Sequence, residues 1–69
     1  MANRIAERRR NAGLTQHDLA HLLKVPQARI SEWERGVRTP NVYTAIRLAK
    51  ALSCKVEEIF LIEESPGQA

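Results

Sequence analysis

Between Thr15 and Gly36 the apolar and polar residues form two short amphipathic segments that follow one another. The first carries an apolar stripe at helical spacing, formed by Leu19, Ala20, Leu22 and Leu23. In the second, Ile30 and Trp33 share one face because they are three residues apart, and the opposite face is polar and partly basic. The pattern predicts two consecutive helices, the second of which presents a polar surface.

Residue signals at the ends of these segments predict where the two helices start and stop. Thr15 is placed as the N-cap of the first helix, with Asp18 as a short version of the capping-box acid. Pro26 disfavours helical geometry at the residue before it, so this helix should end at residue 23 or 24. The next helix then runs from residue 26 or 27 to about residue 35, and Gly36 ends it. Two helices with so short a connection fit a helix-turn-helix unit, whose second helix enters a nucleic-acid groove.

Helices are also predicted on both sides of this unit. Before it, residues 3–12 are strong helix formers with Ile5, Arg9 and Ala12 on one face. After it, Thr39-Pro40 predicts the start of a helix over residues 40–52, with threonine as cap and proline in the first helical position. The residues of that helix predicted to face the core are Val42, Ala45, Leu48, Ala49 and Leu52. A short fifth helix is predicted over residues 56–60.

Length and composition bound the kind of protein. Sixty-nine residues suffice for one domain, which we place at residues 1–62, followed by a flexible tail over residues 63–69. The single cysteine, Cys54, excludes an intramolecular disulfide and a cysteine-based metal cluster. The first ten residues do not form a secretory signal, and no apolar run approaches the roughly 20 residues of a membrane helix. We therefore expect a cytoplasmic protein without membrane contact.

The distribution of charge is more informative than its total of +3. Residues 1–50 contain ten Lys or Arg residues against four acidic residues, a net charge of +6. Residues 51–69 contain one lysine against four glutamates, a net charge of −3. A basic body fits a polyanionic partner such as DNA, and on charge alone a solvated basic surface is an equal alternative.

Catalytic or metal-binding chemistry has little support in the sequence. The segment HDLAH places His17 and His21 four residues apart, as in the HExxH zinc signature, but Asp18 replaces the glutamate and no third ligand is evident. Two solvent-facing histidines are the preferred interpretation. We therefore predict no catalytic residue, no metal and no cofactor, and the prediction is that the protein is not an enzyme.

Several segments in order resemble the phage-repressor/Cro-like (XRE-type) helix-turn-helix DNA-binding family. They are RRRNAGLTQHDLA, ISEWERG, TPNVYTAIRLAKAL and VEEIF, and together they extend over roughly residues 5–60. The resemblance implies an all-α fold, a compact five-helix bundle of the lambda-repressor-like type. It also implies an ion pair between Arg9 and Glu34, which supplies the partner that an arginine on an apolar face needs.

The resemblance assigns the DNA-contacting residues as well. It implies that Gln16 contacts a phosphate and that Gln27, Ala28 and Glu32 face base edges, with Arg29 beside them. For Arg29 and Glu32 the alternative is a surface contact within the helix, since they are three residues apart. Further phosphate contacts are expected near the start of the fourth helix, from Arg38, Asn41 and Tyr43. For Tyr43 the alternative is an exposed side chain that does not contact DNA.

Some positions depart from the family pattern. Lys24 and Ser53 occupy positions where glycine is usual, so a left-handed backbone would carry a modest penalty there. Pro26 replaces the common Ser or Thr cap of the recognition helix, which loses its side-chain cap. Cys54 lies where the family has a small apolar residue and is interpreted as a buried hydrophobe.

The apolar run Ile59, Phe60, Leu61 and Ile62 exceeds what one helical face of a monomer would bury, which suggests a dimer interface. The alternative is that Phe60 and Leu61 fold back over the core of the monomer. The hypothesis is a homodimeric transcriptional repressor that places its two recognition helices, about residues 27–35, in successive major grooves about 34 Å apart, on an inverted-repeat operator. The alternative is an antitoxin or other protein-interaction module with the same fold, whose partner would be a toxin or another protein.

Overall fold

The computed structural model describes residues 3–60, which form five helices joined by short connections. In chain order they are α1 (Ile5–Asn11), α2 (Gln16–Leu23), α3 (Gln27–Glu34), α4 (Val42–Ala51) and α5 (Val56–Ile59). The predicted all-α five-helix bundle is confirmed. The predicted flexible tail, residues 63–69, lies outside the described residues. Within residues 3–60, none of the helices is long and apolar enough to cross a membrane.

One apolar core joins all five helices. Its twelve buried residues are Ile5, Leu19, Ala20, Leu23, Ile30, Trp33, Ala45, Leu48, Ala49, Leu52, Ile59 and Phe60. Every helix contributes at least one of them, so none of these short helices buries its apolar face alone. Helices of four to ten residues are marginal in isolation, which makes this shared core the main source of their stability.

Three residues predicted to face the core are exposed instead: Ala12, Leu22 and Val42. At about 100° per residue, Leu22 lies roughly 60° outside the arc that Leu19, Leu23 and Ala20 occupy on α2. Val42 is the first residue of α4 and lies at the end of that helix, where it lines a surface groove. Helical spacing identifies the apolar face of a helix. How much of that face is buried depends on the helices that pack against it.

Asn3 ties the start of the chain to α3 and α5. The Asn3 Oδ1 accepts the Ile5 N–H at 3.0 Å, and its Nδ2 donates to the Trp33 carbonyl at 2.7 Å. Asn3 also forms an isolated antiparallel bridge with Phe60. The predicted start of the first helix at residue 3 is therefore two residues early. Asn3 lies before the helix, and its side chain accepts a hydrogen bond from the first N–H group of the helix.

The start of α4 also differs from the prediction. The N-cap is Asn41, whose Oδ1 accepts the Thr44 N–H at 2.8 Å, and not Thr39. Threonine and asparagine are both good caps, and the sequence offers both within three residues. The structure uses the asparagine, so that Pro40 precedes the helix.

Lys24 and Ser53 have left-handed backbones, with φ angles of 57° and 56°. Lys24 is the C-cap of α2, and the left-handed backbone predicted there is confirmed. Pro26 precedes α3 without a side-chain cap, also as predicted. The turn between α2 and α3 thus contains a strained backbone at Lys24 and an uncapped helix start at Pro26. Packing of α2 and α3 against the core has to offset both.

Two arginines join helices that are distant in sequence. Arg8 is partly buried, and its Nη2 lies 3.4 Å from Glu58 Oε2, which links α1 to α5. Arg47 of α4 donates from Nη2 to the Leu23 carbonyl at 3.2 Å. A cation at the end of α2 also complements the negative end of the helix dipole.

Replacing Lys24 by glycine is expected to stabilise the protein by about 0.5–1 kcal/mol, because glycine adopts a positive φ without a Cβ clash. The matched substitution Lys50→Gly, at an exposed lysine within α4, is expected to destabilise by up to about 1 kcal/mol. Urea unfolding of both variants measures the difference. If both substitutions changed the free energy of unfolding in the same direction, the backbone strain assigned to Lys24 would be wrong.

Candidate nucleic-acid interface

Helix α3 is anchored on one side and exposed on the other. Ile30 is fully buried and Trp33 nearly so, which holds α3 against the core. Gln27 and Ala28, in the first turn of α3, are exposed. The connection from α2 consists of residues 24–26 only, so α2 fixes where the exposed first turn of α3 lies.

An ion pair between Arg9 and Glu34 joins α1 to α3, as the family resemblance implied. Arg9 Nε and Glu34 Oε2 are 2.6 Å apart, and their side chains are only 12% and 8% exposed. Arg9 Nη1 also donates to the Leu14 carbonyl at 2.8 Å. A shielded ion pair is stable only if the other N–H groups of the arginine also find acceptors, and the Leu14 carbonyl is one such acceptor.

The same carboxylate extends the network to the predicted DNA-contacting residues. Gln16 Nε2 donates to Glu34 Oε1 at 2.9 Å, and Gln27 Nε2 lies 3.5 Å from Gln16 Oε1. The structure therefore brings together Gln16, predicted to contact a phosphate, and Gln27, predicted to read a base. Both amides lie on one chain of contacts that begins at Arg9 in the interior.

The start of α2 is fixed by the predicted capping box. Thr15 Oγ1 accepts the Asp18 N–H at 3.0 Å, and Asp18 Oδ2 accepts the Thr15 N–H at 2.9 Å. The hydrogen bonds from the backbone and side chain of Thr15 lower the pKa of Asp18. Gln16 follows immediately as the first residue of α2, so the cap also defines its backbone position.

Glu32 holds two arginines at the exposed surface of α3. Its Oε1 lies 3.2 Å from Arg29 Nε and 3.3 Å from Arg38 Nε. The contact within the helix that was the alternative for Arg29 and Glu32 is therefore present. Arg38, from the segment after α3, is drawn to the same carboxylate, which groups three of the predicted DNA-contacting residues.

The two other predicted phosphate contacts lie at the start of α4. Asn41 uses its Oδ1 to cap α4, which leaves its Nδ2 to a further acceptor. Tyr43 is exposed, and the guanidinium carbon of Arg47 lies 5.9 Å from the centre of its ring. Arg47 had no predicted role, and its spacing of four residues from Tyr43 was the signal for this contact.

The predicted dimer interface needs correction. Ile59 has no exposed surface and Phe60 is 8% exposed, so neither can bury appreciably more in a dimer. For Phe60 the alternative, packing on the protomer's own core, is the one observed. Leu61 and Ile62 lie outside the described residues. The backbone explains the burial, because Arg4 N–H donates to the Ile59 carbonyl at 2.6 Å and so closes α5 on the start of the chain.

An apolar surface groove beside Phe60 was not predicted. It has a volume of about 250 Å³, and its lining is Thr39, Pro40, Val42, Ala45, Ile46, Val56 and Phe60. Val42 and Ile46 are exposed and lie four residues apart on α4. That spacing marks a second apolar face of α4, which the sequence could have revealed.

The remaining candidates for chemistry are unremarkable in position. His17 and His21 are both exposed, and among residues 3–60 the His, Cys, Asp and Glu side chains form no group of three suited to a metal ion. Cys54 is half-buried against the core, where desolvation raises the pKa of its thiol. A raised pKa disfavours the reactive thiolate, in line with the interpretation of Cys54 as a hydrophobe.

A pair of helices with a three-residue connection, the second anchored by its inner face and exposed at its first turn, defines a DNA-binding helix-turn-helix domain. The helix-turn-helix family model matches residues 5–59, most of the chain. The chain belongs to the phage-repressor/Cro-like (XRE-type) helix-turn-helix family. It is a transcriptional regulator with a helix-turn-helix DNA-binding fold.

Known relatives support the assignment along nearly the whole chain. The HTH-type transcriptional regulator YgzD of Bacillus subtilis (strain 168) is 31% identical over 64 residues, which are 93% of this chain and 97% of YgzD. The crystal structure of the P22 c2 repressor in complex with a synthetic operator is similar, with a TM-score of 0.74, 35% identity and coverage of 78% of this chain and 82% of that one. The restriction-modification controller protein C.AhdI of Aeromonas hydrophila has a TM-score of 0.75 and 33% identity, with 83% and 86% covered.

Replacing Glu34 by alanine is expected to destabilise the fold by about 3 kcal/mol, because it leaves the shielded Arg9 guanidinium without its counter-charge. Thermal or urea unfolding followed by circular dichroism measures the loss. Glu7→Ala, at an exposed glutamate of α1, is the control and should change stability by less than about 0.5 kcal/mol. Similar stabilities for the two variants would show that the ion pair contributes little.

Proposed function

We propose that the protein is a sequence-specific repressor that acts in the cytoplasm as a homodimer on an inverted-repeat operator. The observation that carries this proposal is the exposed first turn of α3, with Gln27 linked through Gln16 to the buried Arg9–Glu34 pair. Because a chain of hydrogen bonds to the buried pair already restricts the Gln27 side chain, it loses little conformational freedom when it contacts a base. The solved P22 c2 repressor complex contains an operator, which supports DNA as the partner.

Base reading is proposed for Gln27, Ala28, Arg29 and Glu32 on α3. By the chemistry of the major groove, glutamine pairs with adenine, arginine with guanine, and glutamate with the cytosine amino group. The small side chain of Ala28 allows close approach to the groove floor, and its methyl group can contact a thymine methyl. The operator half-site should therefore contain these bases within the reach of one α3 helix.

Phosphate contacts are proposed for Gln16, Arg38, Asn41 and Tyr43. The capping box at the start of α2 and the Asn41 cap of α4 hold the backbone beside these side chains. Such contacts set the register of the protein on DNA without reading its sequence. Since cations on the protein displace counterions from DNA, the affinity should fall steeply as salt rises.

The proposed dimer uses the apolar groove of α4 and α5, with a second copy of the chain as its occupant. Phe60 forms one wall, and the apolar Leu61 and Ile62 follow it directly in sequence. Exposed Val42 and Ile46 supply further apolar surface. The groove equally favours the second candidate function, in which a toxin or other protein binds there and DNA binding is secondary.

Replacing Gln27 by alanine is expected to lower the affinity for the operator about 10-fold or more, with less effect on random DNA, because a bidentate base contact is lost. Footprinting against the DNA upstream of the protein's own gene first locates the operator, and gel shifts then measure both affinities. Tyr43→Phe is the contrasting variant, because it removes only a proposed phosphate contact, and it should weaken both DNAs alike.

Unchanged circular dichroism is expected for Gln27→Ala, since its side chain is exposed. If the folded wild-type dimer protects no specific site at low salt, the repressor proposal is wrong. Binding of a partner protein at the groove, without a protected site, would support the second candidate.

Replacing Ile46 by lysine is expected to convert the dimer to a monomer, because a charge would be buried in an apolar groove. Light scattering gives the mass. Leu22→Lys, at an exposed leucine of α2, is the matched control and should remain dimeric. A chain ending at residue 60 keeps the twelve core residues described above and should also be monomeric if residues 61–62 contribute. A dimer that survives both changes would place the interface elsewhere.

A further inference from the structure

Glu32 is bound twice to the segment that follows α3. Its carboxylate contacts the Arg38 side chain at 3.3 Å, and its backbone carbonyl accepts the N–H groups of Val37 at 3.0 Å and Arg38 at 3.3 Å. Its carboxylate also contacts Arg29 at 3.2 Å on the same oxygen, Oε1. One carboxylate therefore orients two guanidinium groups at the proposed DNA-facing surface.

These ion pairs are well placed to exchange partners. The side chains are 41% exposed for Arg29, 31% for Glu32 and 54% for Arg38, so phosphate can reach both guanidinium groups. Exposed ion pairs are weak because water screens them. The cluster of three carries a net charge of +1, half of what the two arginines alone would offer to a phosphate backbone.

From this arrangement we infer that Glu32 is a specificity-determining residue that suppresses binding to non-operator DNA. Affinity for random DNA comes almost entirely from cations that neutralise phosphates. On such DNA, Glu32 competes with the phosphates for Arg29 and Arg38. When the arginines bind phosphates instead, the negative charge of Glu32 lies near the DNA backbone without a hydrogen-bond donor of its own. The inference rests on the proposed DNA-binding function.

On the operator, the released carboxylate has a partner of its own. A cytosine amino group in the major groove donates to a glutamate, which compensates for the loss of the arginines. The arginines are then free for guanine or phosphate. Glu32 thus lowers affinity only where the base sequence fails to supply that donor, and the ratio of operator to random binding rises.

The test is Glu32→Gln, which removes the charge and keeps the side-chain length and the backbone carbonyl that holds Val37 and Arg38. The probes are a random-sequence duplex and a duplex that carries the footprinted operator, each titrated over a range of KCl. The variant should bind random DNA about three- to tenfold tighter, with a steeper salt dependence, and the ratio of operator affinity to random-DNA affinity should fall.

Glu57→Gln is the matched control, because it removes the same charge from an exposed position of α5. It should change the affinity for random DNA by less than about twofold. In a chain that already carries Arg38→Gln, the effect of Glu32→Gln should fall to about half, since one of the two restrained arginines is gone.

Two results overturn the inference in distinguishable ways. If the wild-type protein binds its operator but Glu32→Gln and Glu57→Gln bind random DNA equally well, the role of Glu32 is wrong while the proposed function stands. If the folded wild-type protein binds neither duplex at low salt, the proposed function fails and the inference fails with it.

Discussion

The arrangement of the DNA-facing residues depends on the ion pair between Arg9 and Glu34. Both side chains are almost buried, and each satisfies a further group: Arg9 donates to the Leu14 carbonyl, and Glu34 accepts from Gln16. Removal of either charge would leave the other shielded from water, which is costly. The pair therefore fixes the distance between α1, the start of α2 and the end of α3, and through Gln16 it reaches Gln27.

The strength of the polar contacts changes from the interior to the surface. The Arg9–Glu34 contact is short and shielded, whereas the contacts of Glu32 with Arg29 and Arg38 are longer and open to solvent. A shielded pair holds the backbone geometry, while exposed pairs can be exchanged at small cost for phosphate or base contacts. This gradient gives the domain a rigid frame and an adaptable surface within two turns of one helix.

Sequence reasoning was most successful where the determinants are local. The capping box of Thr15 and Asp18 and the anchors Ile30 and Trp33 follow from neighbouring residues. The left-handed Lys24 and the Arg9–Glu34 pair follow from the family resemblance. The errors arose where distant segments decide. Burial of Ile59 and Phe60 comes from the strand-like closure against residues 3 and 4, separated by more than fifty positions in the chain. Periodicity carries no information about such contacts, and it could not choose between Thr39 and Asn41 as the cap.

The start of α4 couples the two proposed surfaces. Asn41 and Tyr43 are proposed to contact phosphates, while Val42 and Ile46 line the apolar groove proposed to bind a second copy. Successive residues of a helix point about 100° apart, so one turn can serve both surfaces. Because a single rigid helix carries both, the spacing between the two recognition helices of a dimer would be set by α4 and not by a flexible linker. A spacing fixed in this way selects operators by the separation of their half-sites as well as by the bases within them.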